Sequence, residues 1–431
     1  MNRPDAHVLV AEAVLPVETP ALAPGWVAVA DGRIADLGSG APPRDRGPVV
    51  ELSGQALIPA FVNAHVHLGA SFLEGVSPDL EFWRWLEGAV QPRVATWSRG
   101  EGRDEAAADA ARAAAALLEG GVGFAAESFL DLMGRDAMVQ AGLPGIFFRE
   151  FFGVSAEDLT EEAERVVRRV DADLATLAGT DGIDYGLAPH ALYTCPPAIL
   201  EVLHGLAKRN DLLLTMHLEE SPEEHEAFGP RRGPLHAWLV EKGADRFLLD
   251  RRPVQVLESL GLLDIPWVFV HGVQLEATDL ELLGRAGASL VHCPSSNLRL
   301  ATGVAPIEAA LEAGLVVGLG TDSLGSTGRL DLFQEMRLLL WNQRAQAHRV
   351  GPWTAERALV MATLGSARCL KEEGSRGSLA VGKWADLTSV ALELPLERAA
   401  AVDQVVWKGS PSAVRGVWLR GRRVRPQESA S

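Results

Sequence analysis

Short apolar runs alternate with longer helical patterns along most of this chain. Eight of the runs read as strands: ALIPAFVNAHVH, GVGFAAESF, PGIFFREFFG, IDYGLAPHA, LLLTMHLEE, PWVFVHGV, ASLVHCPSS and VVGLGTDSL. A helical pattern over 155–178, opened by a capping box of Ser155 and Asp158, separates two of them, and another over 303–313 lies between the last two. Further helical patterns at 331–348 and 354–370 follow the eighth strand. Such alternation marks βαβ units around a parallel sheet, and eight strands are what a closed barrel needs. The reading is therefore an α/β protein, with a (β/α)8 barrel over residues 57–373.

The two ends have a different texture. Runs such as HVLVAEAVLP and GWVAVADGRIADLG, and later GSLAVGKWADLTSVAL and GVWLRGRRV, are short, β-like and punctuated by Gly and Pro. Residues 1–56 and 374–431 are predicted to pair into one small β-sandwich domain. The segment 221–262 is too long for a simple strand-to-helix connection, so it is expected to cover the mouth of the barrel.

Composition narrows the partners. Of the 431 residues 47% are hydrophobic and 23% charged, enough apolar material for a well-buried core. The formal charge of -17, from 57 acidic against 40 basic side chains, argues against nucleic acid or an anionic membrane and for a small-molecule substrate. Cys195, Cys293 and Cys369 are far apart and form no CxxC, which fits a reducing cytoplasm and neither a disulfide framework nor a thiolate zinc site. No signal-peptide pattern or stretch of about 20 apolar residues is present, so a soluble protein is expected. Oligomeric state stays open, a homo-oligomer included.

Polar residues gather where the strands end, and the C-terminal strand ends of such a barrel converge on its active site. His65 and His67 close the first strand in NAHVHLG, spaced so that both imidazoles lie on one side of an extended segment. His190 ends the fourth strand, His217 the fifth, His271 the sixth, His292 the seventh and Asp322 the eighth. One such histidine is usually structural; the joint pattern points to a metal centre.

The motifs PAFVNAHVHL, APHALYTCPP, MHLEES, HCPSSNLRLATGVAPI, GLGTDS and GSLAVGKWADL, spread over nearly the whole chain, resemble the amidohydrolase superfamily. The likeness is to its aminohydrolase and chlorohydrolase branch, which includes deaminases of adenosylhomocysteine, guanine and aminofutalosine. This resemblance implies that His65, His67, His217 and Asp322 bind one divalent ion, zinc being expected and iron or manganese the alternatives. It implies that Glu220 shuttles protons, that His271 and Asp322 take the proton of the attacking water, and that His190 contacts substrate. His292 is read as structural. The lysine that bridges two metals in many members is missing, because no lysine precedes Lys208, so one metal is expected. An ion held by imidazoles and a carboxylate lowers the pKa of water toward about 7.

Alternative chemistries are weaker. His217-Leu218-Glu219 matches half of the cytidine-deaminase signature, but no PCxxC follows, and HExxH, GxSxG and GxxxxGK[ST] are absent. Chloride displacement or cyclic-amide hydrolysis by the same centre remains an alternative, whereas a silent binding barrel would be expected to have lost ligands. Trp83 and Trp85 in SPDLEFWRWLEG either stack on an aromatic substrate or pack a cap helix, and Arg149 in FFREFFG is read as the partner of a substrate carboxylate. An adenine nucleoside bearing a benzoate would use both features. The expected activity is deamination of 6-amino-6-deoxyfutalosine, of menaquinone synthesis, followed by deamination of adenosylhomocysteine, methylthioadenosine or another purine.

Overall fold

Two sheets organise the computed structural model, which describes residues 6–76, 79–177, 182–229, 232–244, 251–394 and 400–425. The chain opens with β1 (His7–Val14), β2 (Gly25–Ala30), β3 (Arg33–Ser39) and β4 (Val49–Pro59). It then runs through eight barrel strands: β5 (Phe61–Val66), β6 (Val122–Phe129), β7 (Gly145–Phe151), β8 (Ile183–Pro189), β9 (Leu214–Leu218), β10 (Trp267–His271), β11 (Ser289–His292) and β12 (Val316–Leu319). It ends on β13 (Leu387–Ala391), β14 (Val414–Leu419) and β15 (Arg422–Arg425).

Both chain ends enter one mixed sheet of order β15-β14-β13-β4-β1-β2-β3. Within it β4 runs past residue 56, for Leu57, Ile58 and Pro59 still pair with Ser389, Thr388 and Leu387 of β13. A single residue, Ala60, then links β4 to the barrel.

All eight apolar runs became barrel strands, hydrogen-bonded in sequence order with parallel pairing from β5 to β12. The ring closes through a bridge between Val66 and Asp322, whose amide, like that of Thr321, donates to the His65 carbonyl. Val62, Ala64, Phe124, Ala126, Ile146, Phe148, Ala188, Val268, Val270 and Val291 fill the interior, so the barrel is packed and its chemistry is confined to one end.

The helix expected over 155–178 begins at Leu159 and ends at Leu177. Asp158 alone caps it, its carboxylate accepting from the Thr160 and Glu161 amides at 2.8 and 3.2 Å. Ser155 instead faces the cavity described below. Helices Pro222–Phe228 and Pro234–Glu241 occupy the long segment after β9, and Trp238 and Lys242 reach the barrel mouth, as expected of a cover. No helix among the described residues is long and apolar enough to cross a membrane.

Candidate active site

His65 lies near the end of β5, where the register against β6 shifts between Asn63 and Val66, an irregularity of the kind that re-aims side chains beside active sites. His67 follows one residue beyond the strand. His67 Nδ1 is 2.7 Å from the Ser128 carbonyl, and His217 Nδ1 is 2.8 Å from the His190 carbonyl. Carbonyls only accept, so both Nδ1 atoms carry the proton and both Nε2 atoms keep a free lone pair.

Those lone pairs converge. His217 Nε2 stands 3.2 Å from the Nε2 of His67 and 3.2 Å from that of His65, while Asp322 Oδ1 is 3.5 and 3.8 Å from the same two atoms. Facing lone pairs at this distance repel unless a cation lies among them. Ligand bonds of about 2.0–2.1 Å at tetrahedral angles give this spacing. The donor set fits a divalent ion.

The carboxylate is oriented by its other oxygen: Asp322 Oδ2 accepts from Ser296 Oγ at 2.5 Å and Ser326 Oγ at 2.8 Å. Burial pushes the Asp322 pKa up, but His271, His67, His65 and the Ser296 hydrogen bond outweigh it and hold it at about 2. Burial also drives His65 and His217 well below the ordinary histidine value. For His67 the same burial is outweighed by the carboxylates of Glu150, Asp322 and Glu127, and the value rises. Glu127 further holds the turn after the histidines, accepting from the Leu68 and Gly69 amides.

Glu220 and His271 stand beside this cluster. His271 Nδ1 donates to Asn297 Oδ1 at 2.8 Å, which leaves Nε2 facing Glu220 Oε1 at 3.6 Å. Burial first, and the Asp322 charge second, push the Glu220 carboxyl well above the usual range, which favours its protonated form. Glu219 points elsewhere and pairs with His225 at 3.1 Å. Glu219, His271 and Asp322 all have left-handed backbone, with φ of 49°, 71° and 58°. Non-glycine residues hold that conformation only where their surroundings impose it, commonly at functional sites.

A cavity of about 510 Å³ opens onto these residues. His190 and Trp85 line it, in keeping with their expected place, and Phe152 stacks on His190 at 4.5 Å. Trp83 packs edge-on against Trp238 at 6.0 Å. Arg149 requires a correction. On β7 the side chains of Ile146 and Phe148 point into the barrel, so Arg149 points outward, where Nε and Nη2 grip Asp173 at 2.8 and 3.0 Å and Nη1 donates to the Leu130 carbonyl. Its neighbour Glu150 faces the cavity instead.

Sequence reasoning also missed Tyr193 and Lys242 in the cavity wall, and Ser296, Ser326 and Asn297 behind the catalytic side chains. The HCPSSN run read as loop-shaping was the one available signal. His292 is fully buried beside Asn297, consistent with its structural reading. A larger cleft of about 1030 Å³ lies between the small sheet and the opposite end of the barrel, where the buried charges Arg376 and Asp386 pair with each other at 2.8 Å.

Three comparisons bear on this site. The family described as the amidohydrolase family matches residues 56–424. A 5-methylthioadenosine/S-adenosylhomocysteine deaminase of Syntrophobacter fumaroxidans is 31% identical over 414 residues, covering 93% of this chain and 88% of that protein. A zinc-bound adenosine deaminase from Xanthomonas campestris superposes with a TM-score of 0.84 at 29% identity, covering 98% of this chain and 93% of that one. Helicobacter pylori aminofutalosine deaminase, solved with methylthio-coformycin, gives 0.84 at 24% identity over 97% of this chain and all of that one, a likeness of fold. With its barrel, its converging imidazoles and a match over most of its length, the chain belongs to the amidohydrolase family and is a hydrolase.

Proposed function

We propose that this chain holds one zinc ion through His65, His67, His217 and Asp322 and deaminates the adenine ring of a nucleoside. The observation that carries this reading is Glu220, a buried carboxyl beside the converging imidazoles, its Oε1 3.6 Å from His271 Nε2. A divalent ion in such a site lowers the pKa of water toward about 7 and so supplies a nucleophile at neutral pH. Glu220 gives its proton to ring nitrogen N1, which makes C6 electrophilic as the water oxygen adds there. Asp322 and His271 accept the water proton, and the amino group leaves as ammonia after gaining one. The product is the 6-oxo purine. Asn297 fixes the His271 tautomer, and Ser296 and Ser326 hold Asp322 Oδ2.

The substrate is a 5′-extended adenine nucleoside. Leu86, Val90, Val94 and Ala95 give the cavity an apolar wall suited to a thioether such as methylthioadenosine or adenosylhomocysteine. The second reading is 6-amino-6-deoxyfutalosine, which would serve menaquinone synthesis. With Arg149 turned outward, Lys242 is the only lysine or arginine among the described residues lining the cavity and takes over the role of carboxylate partner. Three buried free thiols fit work in a reducing cytoplasm.

Ammonia release from adenosine, methylthioadenosine, adenosylhomocysteine, aminodeoxyfutalosine, guanine and a chlorotriazine, measured with zinc-loaded enzyme, tests this. Turnover confined to guanine, or chloride release alone, would overturn it.

A further inference from the structure

Among the described residues, three carboxylates line the catalytic cavity: Asp322, Glu220 and Glu150. The first two have roles at the reacting carbon. Glu150 has none, although it comes off the end of a barrel strand and is only 7% exposed. Its Oε1 is buried with no hydrogen-bond partner among the described residues. The nearest titratable neighbour, His67 Nδ1, is 3.9 Å away and already gives its proton to the Ser128 carbonyl. A buried acceptor without a donor costs about 1–3 kcal/mol, more when charged, so a donor is expected from the cavity side.

A second metal ion is not that donor. Glu150, His190 and His217 do bring ligand atoms within 4.8 Å of one another. But His217 Nε2 belongs to the first cluster and its Nδ1 is spent on the His190 carbonyl, so only two ligands remain. The missing donor belongs to the substrate.

We infer that Glu150 is a specificity residue that accepts hydrogen bonds from the sugar hydroxyls of the nucleoside. This rests on the nucleoside reading above. An adenine nucleoside offers two kinds of donor, the 6-amino group and the sugar hydroxyls. The amino group must lie where the Nε2 atoms converge. Glu150 approaches His67 from its Nδ1 edge, which is turned away from that point. The hydroxyls are what is left, and a buried acceptor meeting them discriminates strongly against analogues that lack them.

The test compares kcat/KM for adenosine and 2′,3′-dideoxyadenosine in the zinc-loaded wild type, Glu150→Ala and the isosteric Glu150→Gln, with metal content measured alongside. The expected result is that the wild type prefers adenosine by tenfold or more, and that both variants keep their metal and lose most of that preference by losing activity toward adenosine alone. Equal losses with both nucleosides would place Glu150 at the reacting centre and overturn the inference, as would loss of metal in the Gln variant. Wild-type enzyme that deaminates neither nucleoside, nor any 5′-extended one, overturns the nucleoside reading itself, a result distinct from equal losses.

Discussion

The two walls of the catalytic cavity are built differently. On the wall made by β5, β9, β10 and the Asp322 turn, four reactive side chains are held by a second polar atom: His67 by Ser128, His217 by His190, His271 by Asn297 and Asp322 by two serines. On the facing wall, short helices carry Phe82, Trp85, Trp238 and Lys242. The buried Trp85 Nε1 there, like Glu150 Oε1 on β7 at its edge, lacks a partner among the described residues. One wall is preorganised for chemistry, while the other keeps hydrogen-bonding capacity for a substrate. Preorganised ligands lose function steeply when disturbed, and recognition contacts lose it gradually.

That contrast predicts a graded set of effects. The largest belongs to the ligands: His65→Ala or Asp322→Ala should abolish both metal binding, read by elemental analysis, and turnover. Lowering the pH should strip the ion from the unaltered protein, since protons compete for the same Nε2 atoms.

Next comes proton transfer. Glu220→Gln should leave metal content intact and cut the rate by about a hundredfold to ten-thousandfold, the range for a general acid or base. Glu219→Gln should cost far less, because that carboxylate serves His225 and the helix after β9. A reversal of this order would mean that the wrong carboxylate carries the proton.

A smaller loss is expected one layer out. Asn297→Ala frees the His271 ring to change tautomer and should lower kcat/KM by about 10–100-fold with the ion retained. An unchanged rate would show that Glu220 alone orients His271.

The sequence exposes the two walls unequally. Ligand residue types sit at strand ends, so His65, His67, His190, His217, His271 and Asp322 were legible once the eight apolar runs were counted. The phase of β7 was not. Ile146, Phe147 and Phe148 are apolar on both faces, as in any strand of a covered parallel sheet, so no alternation tells which of Arg149 and Glu150 faces inward. Asn297 and Ser296 reach across 26 residues of sequence to His271 and Asp322, and no local pattern records such contacts. Trp238 and Lys242 arrive on a long connection whose covering role was readable but whose side-chain placement was not.

The smallest expected effect separates the two arginine and lysine readings directly. Lys242 is part-exposed at the mouth, where an ion pair contributes about 0.5–1 kcal/mol, so Lys242→Met should raise KM roughly two- to fivefold for nucleosides with a carboxylate and leave methylthioadenosine unchanged. Arg149→Met should do the opposite. It strands Asp173, which is 6% exposed and otherwise held by the Tyr185 hydroxyl at 2.9 Å, and breaking one side of a buried pair costs about 3–5 kcal/mol. The variant should therefore melt earlier while its KM values, charged and uncharged substrates alike, stay put. If Arg149→Met instead raised KM for carboxylated substrates selectively, the outward placement of Arg149 would be wrong, and with it the assignment of Glu150 to the cavity, because adjacent residues of one strand cannot both face inward.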